Sequence, residues 1–539
     1  MRSYPLYIDG RDDPGQGWTY TVRTSAFIDD PAETFGLKRR LELEGDRAFG
    51  DDEPTAIGRC AWGDDAENRR AVDAAARASR EFGRFAPRAR RQIAEDFHDT
   101  VIAASDEFVE ILVAEGHPRR LAEWEIKGIL ANCCPPTLDW VFAQLHQEYE
   151  DAEGRRVRLT RKPDGVVCVN PPQNAAGVMS VMGVGALFAG NAVVIKAPRS
   201  TPLGVMFAYR EIVAPVLERH GAPPGTLNVV SGDTRRTLRQ WLSHPGVDDV
   251  FFVGDSTVGL KLGAQCVARG KKPILELSGN DPLVVWRDAD LEGAAEALCE
   301  SFYGSAQICM VPKQAIVHPA IAAEFVELFL DRVATIRPGY PEDPATLLSP
   351  VLKADRFLEF LAEARDAGAE LLTGGRRVGL DGAPSESGLF FEPSVVRVDG
   401  LEDAARLRCV REETFFPLVP IVVPEDAPDH LLLERVIEFV NADEYGLRTS
   451  LWATEPRVVE EFTAGVWSSG TLRVNESHMG FSPPMATHGG TGRSGGPFGG
   501  LNFPALSTSH LQGISIAPVR APLPARETED AAGAVPAAA

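Results

Sequence analysis

The sequence predicts an α/β protein with two domains, each built on a largely parallel sheet, and three observations carry that prediction. Between 164 and 275, short β-branched runs (GVVCVN, NAVVIK, TLNVVSG, DDVFFVG, KPILELS) alternate with helical patterns. Strands separated by helix-length connections form βαβ units, and such units assemble parallel sheets. A second series follows Glu276, with DPLVVW, KQAIVH, FFEPSVVRV, PLVPIVV, RTSLWA and GTLRVN. Finally, the chain has 539 residues, 44 % hydrophobic and 24 % charged, too long for one ordinary domain and able to bury large cores.

The remaining elements follow in chain order. Residues 11–60 are acidic and broken by Gly and Pro, with weak periodicity, and no role follows for them. From 66 to about 146 the apolar spacing is helical, interrupted at Pro135-Pro136. GRRVRLTRKP (154–163) reads as an amphipathic strand or hairpin arm. Beyond Glu276, helices are expected around 291–303 and over 319–336 and 354–367. Ala and Pro dominate 517–539, which predicts a disordered tail.

Composition excludes several functions. Lys+Arg 55 against Asp+Glu 77 gives a net charge of −22, which repels phosphate backbones and anionic lipid, so neither nucleic acid nor membrane is an expected partner. An anionic cofactor must then be held locally, by backbone amides, helix N-termini and single Lys or Arg residues. The eight cysteines (60, 133, 134, 168, 266, 299, 309, 409) are scattered without zinc spacing, so no metal site is expected and a reducing cytoplasm is. The N-terminus lacks the apolar core of a signal peptide. The longest uninterrupted piece of the uncharged stretch 166–195 covers 175–189, 15 residues, short of the roughly 20 that span a bilayer.

Five positions carry candidate chemistry, each with an ordinary structural alternative. FFVGDSTVG (251–259) is a strand, a tight turn and a helix start, suited to a pyrophosphate or simply to an N-capped βα turn. Lys196 ends NAVVIK at the sheet edge where open α/β folds bind ligands, or is merely solvated. Glu276 ends KPILE between the two series, placed for a shifted pKa or for a turn. Cys309, in GSAQICMVP, is a nucleophile or a small buried hydrophobe. Asn174, in NPPQNAAG, is an oxyanion donor or an N-cap.

Taken together and in order, these motifs resemble the aldehyde dehydrogenase superfamily. NPPQN, LFAGNAVVIKAPRSTPL, LNVVSG, FFVGDSTVG, LELSGNDP, AQIC, EETFFP, GTLRVN and THGGTGRSG follow the family order from about 66 to 516, and LYIDG (6–10) resembles its opening. The resemblance implies two Rossmann-type domains plus a β-strand oligomerisation arm. It divides the chain into an N-terminal and helical part of the cofactor domain (1–147), an arm (148–163), the dinucleotide-binding domain (164–275), the catalytic domain (276–480), a return to the cofactor domain with an arm strand (481–516) and the tail. A homodimer or homotetramer is expected, with the arm strands pairing across subunits.

The resemblance also implies roles. Cys309 is the nucleophile, Asn174 the oxyanion donor with Gln173 as its fallback, and Glu276 the base that activates water. Lys196 holds the adenosine ribose, Gly254, Ser256 and Gly259 shape the pyrophosphate turn, Glu413 holds the nicotinamide ribose and Phe415 packs near the ring. Arg199 stands where many NAD-preferring relatives have a glutamate, and a guanidinium there attracts a 2′-phosphate, so the cofactor is NADP or NAD with NADP favoured. Asp255 stands where a serine is common, Lys313 where an arginine is frequent, and Phe416 replaces a glycine, which predicts a reshaped nicotinamide pocket. The expected reaction is oxidation of an aldehyde to the acid through a thioester. The alternatives are acyl transfer to coenzyme A, disfavoured by Glu276, or a non-catalytic relative. The expected channel lining, Trp140, Phe142, Met179, Met182, Ile308, Met310, Met479 and Phe481, suggests an apolar or aromatic aldehyde, while His478 and Glu476 suit a polar one.

Overall fold

The computed structural model describes residues 1–45 and 55–518, so the expected tail lies outside the described residues from 519 onward. Two seven-stranded sheets form its framework. The first runs, from edge to edge, Lys272–Glu276, Asp249–Val253, Val166–Asn170, Ala192–Ala197, Leu227–Ser231, Leu6–Ile8 and Arg11–Asp13. Its five βαβ strands are parallel, and the two N-terminal strands close it antiparallel. Strand order reverses between Val166–Asn170 and Asp249–Val253, which opens a crevice beyond their carboxyl ends. Asn174 follows one of these strands and Gly254 the other.

The second sheet runs Glu370–Thr373, Ser394–Asp399, Leu418–Val423, Pro312–Val317, Asp281–Val285, Arg448–Trp452 and Thr471–Val474, parallel except at Glu370–Thr373. The central strands of both sheets, such as Val166–Asn170, Ala192–Ala197, Asp281–Val285 and Leu418–Val423, are buried along their length because helices cover both faces, which is why they read as apolar runs without alternation. Glu276 ends the last strand of the first sheet, and Asp281 begins the first strand of the second. The carboxyl edge of one sheet therefore meets the amino edge of the other.

The acidic N-terminal stretch, unassigned from sequence, acquires structure by packing. Gly17–Val22 pairs with Ala56–Trp62, which also takes Arg2–Tyr4, and helix Pro31–Glu44 covers them through Leu37, Leu41, Tyr20 and Ala56. The helical lead-in consists of Asp65–Phe82, opened by an Asp64/Glu67 capping box, then Pro87–Ala114, Arg119–Cys133 and Pro135–Leu145. Helix Ala176–Ala189 is buried on nearly every side, which accounts for its uniform apolarity. Among the described residues, no helix is long and apolar enough to cross a membrane. A third sheet, Ser509–Ile516, Arg156–Pro163 and His146–Glu150, is antiparallel and largely exposed, and its first strand starts two residues before the expected 148.

Candidate active site

Cys309 sits, partly buried, on a turn that leads into strand Pro312–Val317. The turn follows three consecutive left-handed residues, Gly304 (φ 59°), Ser305 (φ 57°) and Ala306 (φ 62°). Two of them carry a Cβ, so the backbone is strained and needs clamping. Ser305 Oγ donates to the Ser349 carbonyl at 2.6 Å and accepts from the Ser349 N–H at 2.9 Å, and Gln307 Nε2 donates to the Pro350 carbonyl at 3.0 Å. Asn174 Nδ2 donates to the Gln307 carbonyl at 2.8 Å, two residues from Cys309. Gln173 faces elsewhere, its Oε1 accepting from Ser200 Oγ at 2.6 Å, so the structure brings Asn174 to the cysteine loop and leaves Gln173 apart.

The segment joining the sheets crosses directly behind this loop. A Cβ on Gly279 would lie 2.1 Å from the Cys309 carbonyl oxygen, so only glycine permits the approach. Glu276 is 2 % exposed, with Oε1 accepting from Asn502 Nδ2 at 2.6 Å and Oε2 buried without a partner. Burial pushes its carboxyl up to about 8, and the Asn502 hydrogen bond moderates that rise. The Gly279 N–H donates to Glu413 Oε1 at 3.1 Å, and burial raises the Glu413 carboxyl as well. Burial pushes the Cys309 thiol up to about 12, and Glu413, Asp281 and Glu276 add to the rise.

Lys313, given no role from sequence, ties two arms of the site together. Its buried Nζ donates to the Ala306 carbonyl at 2.6 Å and the Thr414 carbonyl at 2.8 Å, and it lies 5.4 Å from the Phe415 ring centre. The Phe416 ring, expected to reshape the nicotinamide pocket, is itself directed into the core. It is 1 % exposed and packs edge-to-face on Phe357 and Phe360 in the second domain's core.

At the carboxyl edge of the first sheet, Lys196 is 2 % exposed and its Nζ donates to the Ala197 carbonyl at 3.2 Å. Burial lowers its amine to about 8, partly offset by Asp233. A buried cation with so little local compensation fits a site meant for a polar ligand. Arg199 is exposed, makes no ion pair or side-chain hydrogen bond among the described residues, and lines a cavity of about 460 Å³ with Asp233, Arg236 and Glu42. Asp255 caps helix Ser256–Val267, accepting from the Val258 N–H at 3.0 Å, which explains an acidic residue in this turn. Ser256 Oγ is already engaged with the Arg493 carbonyl at 2.8 Å. Gly254 donates its N–H to the Glu276 carbonyl at 3.0 Å. Gly259 serves close packing, since a Cβ there would meet Leu277 at 2.2 Å. Asp255, Ser256 and Thr257 face Arg356, Tyr445 and Arg493 across a cleft of about 600 Å³. These strand-end residues and clefts fit an extended dinucleotide.

Some expected channel residues are placed otherwise. His478 is fully buried, with Nδ1 2.6 Å from Ser450 Oγ, and its carbonyl accepts from Arg448 in a core network. Glu476 pairs with Arg473 at 3.0 Å. Trp140 stacks on Phe503 at 4.2 Å. Phe481 stacks on Trp124 at 5.2 Å, and Met179, Met182, Ile308, Met310 and Met479 are buried beside it in one core. Lys313, Ser305, Gln307, Gly279 and Asn502 are site residues to which the sequence assigns no role. Gln307 lies inside AQIC, Ser305 inside GSAQICMVP and Gly279 inside LELSGNDP, but the motifs do not show the contacts these residues make.

A family model described as the aldehyde dehydrogenase family matches residues 51–504. A protein of Sinorhizobium fredii named as a probable NADP(+) succinate-semialdehyde dehydrogenase is 30 % identical over 444 residues, 80 % of this chain and 84 % of that protein. The 3-sulfolactaldehyde dehydrogenase of Pseudomonas putida is 27 % identical, covering 92 % of this chain and 98 % of that protein. Among solved structures, an NAD-dependent aldehyde dehydrogenase from Sinorhizobium meliloti superposes with a TM-score of 0.79 at 23 % identity, covering 97 % and 96 % of the two chains, a likeness of fold. On the family match across most of its length, the chain belongs to the aldehyde dehydrogenase family.

Proposed function

We propose that the protein oxidises an aldehyde to its carboxylic acid with reduction of NAD(P)+, using Cys309 as nucleophile, Asn174 as oxyanion donor and Glu276 as base. The observation that supports this best is convergence: both sheet edges deliver these three side chains and Glu413 to one junction. Burial raises the Cys309 thiol, and its proton is lost to solvent as the attacking thiolate forms, leaving Glu276 free to act in the later hydrolysis. The thiolate forms a C–S bond to the aldehyde carbon, and the carbonyl π electrons move onto oxygen. The Asn174 amide and the Cys309 N–H stabilise that oxyanion. When bound, the oxidised nicotinamide supplies the acceptor for the hydride that leaves the same carbon. Glu276 then takes a proton from water, hydroxide adds to the resulting thioester, and the C–S bond breaks to release acid and thiolate.

Lys196 holds the adenosine ribose in this reading, Glu413 holds the nicotinamide ribose, Phe415 borders the ring, and Gly254, Ser256 and Gly259 form the pyrophosphate turn. Arg199, without an ion pair among the described residues, favours NADP+, in keeping with the NADP(+) in the Sinorhizobium fredii relative's name. Hydrolysis is favoured over transfer to coenzyme A by the buried Glu276. The relatives' names make semialdehydes and other small aldehydes the first substrates to try. The eight free cysteines suit a reducing cytoplasm. The exposed three-stranded sheet suits pairing with a second copy, as a dimer or a dimer of dimers.

The test is Cys309→Ala assayed against succinic semialdehyde, 3-sulfolactaldehyde, hexanal and benzaldehyde with each cofactor. Wild type is expected to turn over at least one of these. The variant is expected to remain folded, bind cofactor and lose turnover by more than about a thousandfold. A variant that retains turnover overturns the nucleophile assignment.

A further inference from the structure

The carboxyl of Glu276 takes one side-chain hydrogen bond, from Asn502, 226 residues later in the chain. Asn502 Nδ2 donates to Glu276 Oε1 at 2.6 Å, while Asn502 Oδ1 and Glu276 Oε2 are both buried and without a hydrogen-bond partner among the described residues. Two orphaned oxygens beside one short hydrogen bond are costly unless something else uses them. Asn502 is itself fixed by its backbone. Its N–H donates to the His488 carbonyl at 2.9 Å, and a Cβ on Gly489 would come within 2.3 Å of that nitrogen. Glu276 and Asn502 together line a cavity of about 740 Å³ that runs along the unpaired edge of strand Lys272–Glu276, bordered also by Lys272, Arg161 and Phe503.

We propose that Asn502 is the positioning residue for Glu276, holding Oε1 so that Oε2 receives the proton of the hydrolytic water, and that the adjoining cavity carries that water and the departing proton. The inference rests on Glu276 acting as the base. No bond beyond the hydrolysis itself is made or broken. One O–H proton of water moves to Oε2 and leaves through the cavity, and the hydroxide oxygen goes to the acyl carbon. The neutral amide suits this task. It fixes the carboxylate and moderates its raised pKa, and unlike an arginine or lysine it does not hold the group permanently ionised. Among the described residues, the titratable groups facing Glu276 are Cys309 from the cysteine loop and, around the cavity, Lys271, Lys272 and Arg161; Lys271 Nζ is held by the His244 and Val247 carbonyls at 2.7 Å.

The experiment acylates the full-length enzyme with 4-nitrophenyl acetate, which needs neither cofactor nor a known aldehyde. Nitrophenolate release reports acylation of Cys309, and intact-protein mass follows decay of the acetyl adduct between pH 6 and pH 10, a window chosen to bracket the Glu276 value of about 8. In wild type, decay is expected to rise with pH and reach half its maximum near 8. Asn502→Ala and the isosteric Asn502→Asp are expected to move that midpoint up by about one pH unit, since each loses the amide donor, while acylation stays within about twofold. Glu276→Gln is expected to slow decay at least a hundredfold at every pH. If Glu276→Gln slows decay and both Asn502 variants keep the wild-type midpoint, Asn502 does not position the base. If Glu276→Gln decays as wild type does, the base assignment itself fails.

Discussion

Arg199 is the side chain on which the proposed NADP+ preference rests. Among the described residues its guanidinium makes no ion pair at the cavity beyond strand Ala192–Ala197, yet Glu42 and Asp233 line the same cavity. A 2′-phosphate bound there gains a charge-assisted contact of about 1.5–3 kcal/mol, which is roughly 10- to 150-fold in affinity. Arg199→Glu is therefore expected to reverse the NADP+/NAD+ preference by at least that factor in kcat/KM while kcat with saturating NAD+ barely changes. An unchanged ratio removes Arg199 from the reading. Cys309, Glu276, Lys196 and Glu413 are legible in the sequence as candidates because each lies in a motif whose neighbours fix its place along the chain, whereas Asn174 is separated from Gln173 only by its bond to the Gln307 carbonyl. Lys313 and Asn502 are not legible, because their roles consist of contacts made by folding: two carbonyls on separate loops in one case, a carboxylate 226 residues away in the other.

The cysteine loop is the element whose energetics bear most on function. Two non-glycine residues in left-handed conformation cost about 1–3 kcal/mol each, and the Ser305 and Gln307 bonds to Ser349 and Pro350 offset that cost. Ser305→Ala loses both hydroxyl bonds and keeps the strain. Ser305→Gly loses the same bonds and relieves the strain. Chemical denaturation is expected to rank Ser305→Ala as the less stable by about 1 kcal/mol, the reverse of the usual order of alanine and glycine, with kcat reduced in both. The usual order would mean that the loop is not held in this conformation. The central strands of both sheets are readable from their apolar runs, whereas the edge strands Arg11–Asp13 and Glu370–Thr373 and helix Pro31–Glu44 are not. That helix buries only Thr34, Leu37 and Leu41 from a polar sequence, so tertiary packing forms it rather than periodicity.

At the scale of the whole molecule, the site exists because the carboxyl edge of one sheet faces the amino edge of the other. The alternation of strands and helices foretold both sheets, but that facing geometry depends on glycine contacts such as Gly279 on the Cys309 carbonyl. The third sheet carries a separate prediction. Strand Ser509–Ile516 exposes Leu511 at 55 % and Ile516 at 36 % and pairs on one side with Arg156–Pro163. Truncation after Thr508 is expected to convert the assembly to monomers, read by light scattering at fixed protein concentration. A wild-type enzyme that is already monomeric, or a truncated one that still associates, places the contact elsewhere.

The hydrogen bond between Glu276 and Asn502 also orders events during synthesis. A ribosome adding about 5–20 residues per second needs roughly 10–45 s to travel from one partner to the other. Throughout that interval the first sheet has all its strands in hand, while the carboxylate at its edge still awaits the amide. On the roles proposed for Cys309, Glu276 and Asn502, the nascent chain thus acquires its cysteine well before the means of clearing an acyl group from it, and hydrolytic competence is reserved for the finished polypeptide.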